Sequence, residues 1–373
     1  MELNNGNVKV ISFYLPQFHP FEENNAWWGE GFTEWTNVGK AKPLFKGHYQ
    51  PKVPADLGYY DLRVPEVAEK QAVLARMAGV TGFVYYHYWF SGKTLMDMPS
   101  KRMLYCKKPN FPFCFAWANH SWFKKRWNPD VLEDELLIEQ QYPGLEDIDA
   151  HFYYCLPYFR DSRYMRYNNR PMFVVYDLRE KDFSDFIERW NFLCRKEKLA
   201  ESFYFVANSF FEDNSSEYKR MGFDCVIVDV NIRYEKKKQS LLKQIYNYLE
   251  FHIFRHFRSQ SPELVDYLQL IKDAWRIGIH DREDIIPQFM PNWDHTPRSG
   301  KKGRVYINAT PENFEKMAKL CIEGCLKKQN KLLLLKSWNE WGEGNYMEPD
   351  LCFGHGFIDA LKNSLKEYGQ YGE

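Results

Sequence analysis

Two glutamates three residues apart, Glu340 and Glu343, lie in the segment Ser337-Trp338-Asn339-Glu340-Trp341-Gly342-Glu343-Gly344. The apolar run Leu332 to Leu335 leads straight into them and is short enough to be a buried strand. Carboxylates at the mouth of a buried strand are costly unless paired, hydrogen-bonded or used. Interleaved with indoles, they suit glycosidic chemistry: one carboxyl moves a proton, and flat apolar rings stack on a sugar face. The competing reading is a surface turn whose tryptophans merely pack.

The elements that must position this pair follow from the pattern of apolar residues. Eight β-rich runs stand out: Val8–Leu15, Val80–Trp89, Pro112–Asn119, Pro171–Asp177, Phe203–Phe210, Phe223–Val230, Ile285–Trp293 and Leu332–Trp341. Helical spacing fills most intervals, most clearly at Pro65–Ala78, where proline opens the segment and Gly79 follows its end. Phe183–Leu193 and Pro311–Leu326 repeat the pattern, with Thr310 as an N-cap. Alternating strands and helices point to an α/β fold, a (β/α)8 TIM-type barrel. An open doubly wound sheet is the rival, weakened because no glycine-rich phosphate loop follows the first strand. No linker or repeat divides the chain, so one domain over residues 1–373 is expected, with a helical excursion near 233–282.

Composition excludes several classes. Lys+Arg and Asp+Glu both number 50, so a general nucleic-acid binder is not expected. The Lys236–Lys238 run and the Arg298–Arg304 segment read as solvated loops rather than nucleic-acid sites. Aromatics reach 18%; much of that must be core, but the excess of Trp and Tyr also suits a carbohydrate surface. The N-terminus lacks the pattern of a secretion signal, no run is long enough to span a membrane, and eight scattered cysteines read as reduced thiols. These features point to a cytoplasmic protein.

In a barrel, chemistry collects where strands end. The ends here are Tyr14 to His19, Tyr85 to Trp89, Trp117 to Trp122, Tyr176-Asp177, Asn292 to Arg298 and the Glu340/Glu343 segment. A single histidine such as His87 is by itself more often a core residue than a catalyst. His252 and His256 have helical spacing but lack the glutamate of a zinc protease, and no serine-hydrolase elbow occurs. Asp229-Val230-Asn231 faintly resembles the metal-binding acidic triplet of many sugar-nucleotide transferases, but with only one carboxylate it reads rather as a strand-end cap. No metal ligand set and no cofactor are expected.

With these residues in view, the chain resembles the WbsX-type proteins of bacterial polysaccharide gene clusters, themselves similar to glycoside hydrolase family 99. The resemblance runs through Phe13 to Pro20, Trp27 to Val38, Gly47 to Pro51, Gly82 to Phe90, Trp117 to Asn119, Asp294 to Arg298 and Trp338 to Gly344. It implies a (β/α)8 barrel acting with retention on an α-linked glycan. By resemblance, Glu340 is the base toward the substrate's 2-hydroxyl, whose oxygen displaces the leaving group to give a 1,2-anhydro sugar. Glu343 is the acid/base, which implies a raised pKa there and an ionised Glu340. Substrate contacts are expected from Tyr14, His19, Trp35, Tyr86, His87, Trp89, Trp117, Asn119, Trp293, Asp294, Trp338, Asn339 and Trp341.

Two carboxylates common in such proteins are replaced here by His120 and Asn128, which bears on sugar preference rather than reaction class. The implied partners are an oligosaccharide or polysaccharide substrate and other polysaccharide-assembly enzymes, in lipopolysaccharide or capsule biosynthesis. Hydrolysis, transfer to an acceptor, and a non-catalytic glycan-binding barrel all remain open at this level.

Overall fold

The computed structural model describes residues 1–4, 6–124, 135–179, 181–209, 214–231 and 261–371. Eight parallel strands close into a barrel: β1 (Lys9–Tyr14), β2 (Val80–Phe90), β3 (Phe113–Trp117), β4 (Arg170–Val175), β5 (Tyr204–Ser209), β6 (Cys225–Asp229), β7 (Ile285–Phe289) and β8 (Leu332–Leu335). Each pairs with its neighbours in chain order. Ser12 lies opposite Leu335, and Tyr14 opposite Tyr85, where β1 meets β8 and β2. All eight apolar runs are therefore barrel strands. The strands read as continuous apolar stretches because helices bury the outer face while side chains fill the interior.

The sequence fixes helix ends where cap chemistry is strong. Helix α1 (Glu22–Trp28) and helix α2 (Glu34–Lys40) lie between β1 and β2, followed by α3 (Pro65–Ala78). Pro65 opens α3, and Gly79 closes it at φ 86°, in the left-handed region. Helices α4 (Met98–Cys106), α5 (Leu145–Phe159) and α6 (Ser184–Lys196) wrap the next strands, with the short α7 (Ser215–Met221) after β5. Trp190 of α6 is fully buried, its ring centroid 4.6 Å from that of Phe173 on β4. At Pro311–Leu326, Thr310 accepts from the Asn313 N–H at 3.4 Å, the cap expected there.

The excursion between β6 and β7 is not wholly helical. In its described part, Glu263–Asp266 pairs in parallel with Arg304–Ile307 before the short helix Tyr267–Asp273. Residues 232–260 lie outside the described residues, and with them Lys236–Lys238, His252 and His256; so does Asn128. Two runs also end several residues sooner as strands than the apolar pattern predicts. β7 stops at Phe289 and β8 at Leu335, because the residues after each turn into loops that build the mouth of the barrel.

Candidate active site

After β8 the chain makes a tight hairpin. Asn339–Glu340 pairs antiparallel with Asn345–Tyr346, and Trp341–Glu343 forms a single 3-10 turn between them. Asn339 fastens this hairpin to the end of β1: its carbonyl oxygen accepts from Leu15 N at 2.8 Å and its amide donates to Leu15 O at 3.0 Å. The Asp294 N–H donates to Glu343 O at 2.7 Å from the loop after β7. Two glycines permit the close packing. A Cβ on Gly342 would overlap the Glu34 carboxylate and the Arg298 guanidinium, and Gly344 sits at φ 55° against Asp294.

Glu340 and Glu343 thus reach one cleft of about 460 Å³, a size suited to a small ligand. Gln17, Asn24, Trp28, Phe32, Glu34 and Asn37 come from the connection after β1, and Tyr86 and Tyr88 from β2. His120, Ser121 and Trp122 follow β3, Tyr176 follows β4, and His295 and Arg298 follow β7. These groups come from the later parts of the strands and from the connections that follow them, the end of a barrel where chemistry collects.

The two glutamates have different surroundings. Burial, then the charge of Glu343, pushes the Glu340 carboxyl up to about 7, against the opposing fields of Lys336 and Arg298. Its Oε2 is buried without a hydrogen-bond partner among the described residues. Glu343 Oε1 is 2.6 Å from Arg298 Nη1 and 3.7 Å from His295 Nε2. Arg298, expected in a solvated loop, instead also holds Glu34 at 3.0 Å through Nε, so one guanidinium joins two carboxylates. Burial opposes the charge on Arg298, but Glu34, Glu343 and Glu340 hold its pKa above the usual range. Lys336 behaves similarly: Tyr176, Glu343, Glu340 and Asp229 outweigh its burial. The resemblance implied a raised carboxyl at Glu343. The structure raises Glu340, the deeper of the two, and gives Glu343 a cationic partner.

Of the other expected contact residues, Tyr86 lines the cleft, and Trp293 lies beside it, its ring 5.2 Å from Lys336 Nζ and 6.0 Å from the His295 ring. The rest lie outside the cleft lining. Tyr14 points outward and donates to Gln71 at 2.7 Å. His19 is buried with its Nδ1 on Pro20 O, and the Trp35 indole donates to Tyr60 O at 2.7 Å. Asn119 is tied to Asp177 and Tyr142, and Asn339 to β1 as described. Asp294 is a buried knot accepting from His48, Gln50 and Thr296. Burial raises its carboxyl, but the His48 bond, the charge of Lys52 and the Thr296 bond hold it at about 2. Trp338 and Trp341 are fully buried. Asp229 accepts from Asn231 N at 2.7 Å, as a strand-end cap does.

His87, Trp89 and Trp117 share a second environment, behind the barrel wall against α5. Strand alternation sends Tyr86 and Tyr88 inward and His87 and Trp89 outward. His87 Nε2 meets His151 Nε2 at 2.9 Å, with Cys155 Sγ at 3.7 Å, and Trp89 stacks on His151 at 4.9 Å. These three ligand-type atoms are a group the sequence did not bring together. The histidine ring centroids are 5.0 Å apart, so the rings meet edge to edge, one neutral ring donating to the other.

Burial lowers the His87 pKa to about 3 and that of His151 well below normal. Unfolded histidines titrate near 6.5, so the unfolded chain binds more protons below that pH. The stability from these neutral rings is complete above about pH 6.5 and is lost as pH falls toward the folded values. The expected loss is about 1.4 kcal/mol per pH unit for each ring. Urea midpoints from pH 7.5 to 5 should fall in the wild type and fall less steeply in His151→Phe. Equal slopes in the two proteins would contradict it.

The eight cysteines are free, six buried and Cys106 and Cys352 exposed. Among the described residues no helix is long and apolar enough to cross a membrane.

Comparison with known proteins adds three observations. Residues 10–361 match the family described as Glycosyltransferase WbsX. A relative named uncharacterized protein WxcX, from Xanthomonas campestris pv. campestris, is 33% identical over 362 residues, covering 95% of this chain and 49% of its own length. The chain therefore spans about half the length of the curated relatives it matches. Among solved structures, the GH99 endo-alpha-mannosidase from Bacteroides thetaiotaomicron superposes with a TM-score of 0.57 at 16% identity, covering 97% of this chain and 98% of that one. A structure titled glycoside hydrolase-like protein gives 0.58 at 13% identity, over 98% and 95%. At such identities the likeness speaks to the fold, and it agrees with the closed barrel traced above. With a family match over nearly its whole length, the chain belongs to the WbsX glycosyltransferase family.

Proposed function

We propose that this chain is a carbohydrate-active enzyme that makes or breaks an α-glycosidic bond with retention, using Glu340 and Glu343, in the assembly of a cell-surface polysaccharide. The observation that carries the reading is the pair itself: two carboxyls of unlike environment, on one rigid hairpin, facing an aromatic cleft of sugar size. A carboxyl near 7 suits a base that must take a proton at neutral pH. In this reading Glu340 accepts the proton of the sugar's 2-hydroxyl as that oxygen bonds to the anomeric carbon. The leaving oxygen departs with a proton from Glu343. Water or an acceptor hydroxyl then gives its proton to Glu343 and bonds to the anomeric carbon. The anhydro C–O bond breaks as Glu340 returns its proton to the 2-oxygen, and the starting anomer is restored. Arg298 balances the charge on Glu343 between steps. The barrel acts as one catalytic domain, since the cleft collects residues from Leu15 to Glu343. Free thiols at every cysteine suit work in the reducing cytoplasm.

Isotopically labelled water separates hydrolysis from transfer. Purified protein is incubated with α-mannosyl oligosaccharides or nucleotide sugars, with and without acceptor glycans, and products are weighed by mass spectrometry. Label in a new reducing end marks a hydrolase, and acceptor extension without label marks a transferase. The family membership leads us to expect extension. Glycan binding without turnover in every mixture would replace the enzyme by a binding barrel.

A further inference from the structure

Inside the cleft, on the connection after β1, one side chain has no structural reason to be polar. Asn24 of α1 is 1% exposed, and neither its amide nitrogen nor its carbonyl oxygen has a hydrogen-bond partner among the described residues. Buried amides are nearly always paired, because burying one unpaired costs stability. An orphan donor and an orphan acceptor on one amide, lining a cleft, mark a place kept for a ligand. Four residues on, and so on the same face of α1, Trp28 also lines the cleft, and its ring packs on Phe32 at 5.6 Å. An amide beside an indole face matches a pyranose, which offers adjacent hydroxyls at its edge and an apolar face of C–H groups. A hydroxyl both donates and accepts, so two neighbouring hydroxyls can engage both ends of the amide together.

We propose that Asn24 anchors a sugar subsite next to the Glu340–Glu343 pair, reading two neighbouring hydroxyls of a neutral pyranose while Trp28 covers its face. The uncharged amide selects a diol over a carboxylate or phosphate, which would satisfy its donor and leave its acceptor opposed. Asn24 is thereby a specificity-determining residue, and Glu340 and Glu343 remain the reacting groups. The inference rests on the glycan reading above.

Its test has one arm that needs no glycan. Asn24→Leu, close to asparagine in size, and Asn24→Ala, which cannot overpack, are compared with wild type by thermal unfolding. Removing an unpaired buried amide should leave the midpoint unchanged or raise it, by about 1–5 °C for leucine. All three proteins are then applied to an array of mannose-, rhamnose-, glucose- and galactose-containing oligosaccharides. Both variants should bind the glycans captured by wild type about 10- to 100-fold more weakly, the scale of two neutral hydrogen bonds. A lower midpoint in both variants would show that Asn24 has a structural partner and would overturn the subsite. Wild-type affinity in both variants would also overturn it, leaving the glycan reading intact. A wild-type protein that captures no glycan would overturn the glycan reading and the subsite together.

Discussion

Glu343→Gln is expected to lower turnover by at least ~100-fold while glycan affinity is retained, the scale of losing a general acid. Glutamine keeps the length and shape of the side chain and an oxygen that can still accept from Arg298, now at 2.6 Å from Glu343 Oε1. It cannot deliver a proton to a leaving oxygen or take one from the incoming hydroxyl, so both halves of the proposed reaction slow. The hairpin should survive, since it is held by the main chain of Glu343 to Asp294 and by Asn339 to Leu15, none of which the substitution touches. Initial rates on whichever substrate the labelled-water mixtures identify, together with glycan affinity, make the measurement. Unchanged turnover would remove Glu343 from the mechanism. A joint loss of turnover and affinity would recast it as a binding residue.

What could be read from the sequence and what could not divides along physical lines. Strands such as Leu332–Leu335 and helix ends such as Pro65 and Gly79 are local signals, written in apolar runs and cap residues, and the barrel emerges from them. That two carboxylates stand at the mouth of a strand was legible from the apolar run that leads into them. The direction of side chains on β2 was not. In a barrel strand covered on both sides, Tyr85, Tyr86, His87 and Tyr88 are all apolar or aromatic enough for either face, so nothing in the run says that Tyr86 faces the cleft and His87 the helix layer. The join of Glu34 to Arg298 links residues 264 positions apart and needs the closed barrel to bring them together. Asn24 carried no signal at all, because its meaning lies in the partners it lacks.

Tryptophan 341 shows how the same limit changes an expected result. Beside two glutamates its indole reads as a sugar platform, and on that basis removing it would weaken glycan binding. In the structure the ring is fully buried beneath the hairpin, stacked on Tyr346 at 3.8 Å and 11°, with Trp35 at 5.4 Å. Its N–H donates to Glu348 Oε2 at 2.7 Å. Tyr60 and Gln71 donate to the same carboxyl at 2.9 and 2.6 Å, and burial pushes that carboxyl up to about 7. Trp341→Ala should therefore act on stability, by about 3–5 kcal/mol for the cavity alone. Losing one of three donors to a buried carboxyl adds to it. Trp341→Phe, which keeps the stack and loses the donor, should cost about 1–3 kcal/mol. Urea unfolding of the three proteins gives these values, and glycan affinity measured where the variants remain folded should change little. Full stability with weakened binding would put the indole in the cleft. That outcome would make Trp341 part of the support that holds Glu340 and Glu343 at a fixed separation, a structural residue standing between the two proposed reacting groups.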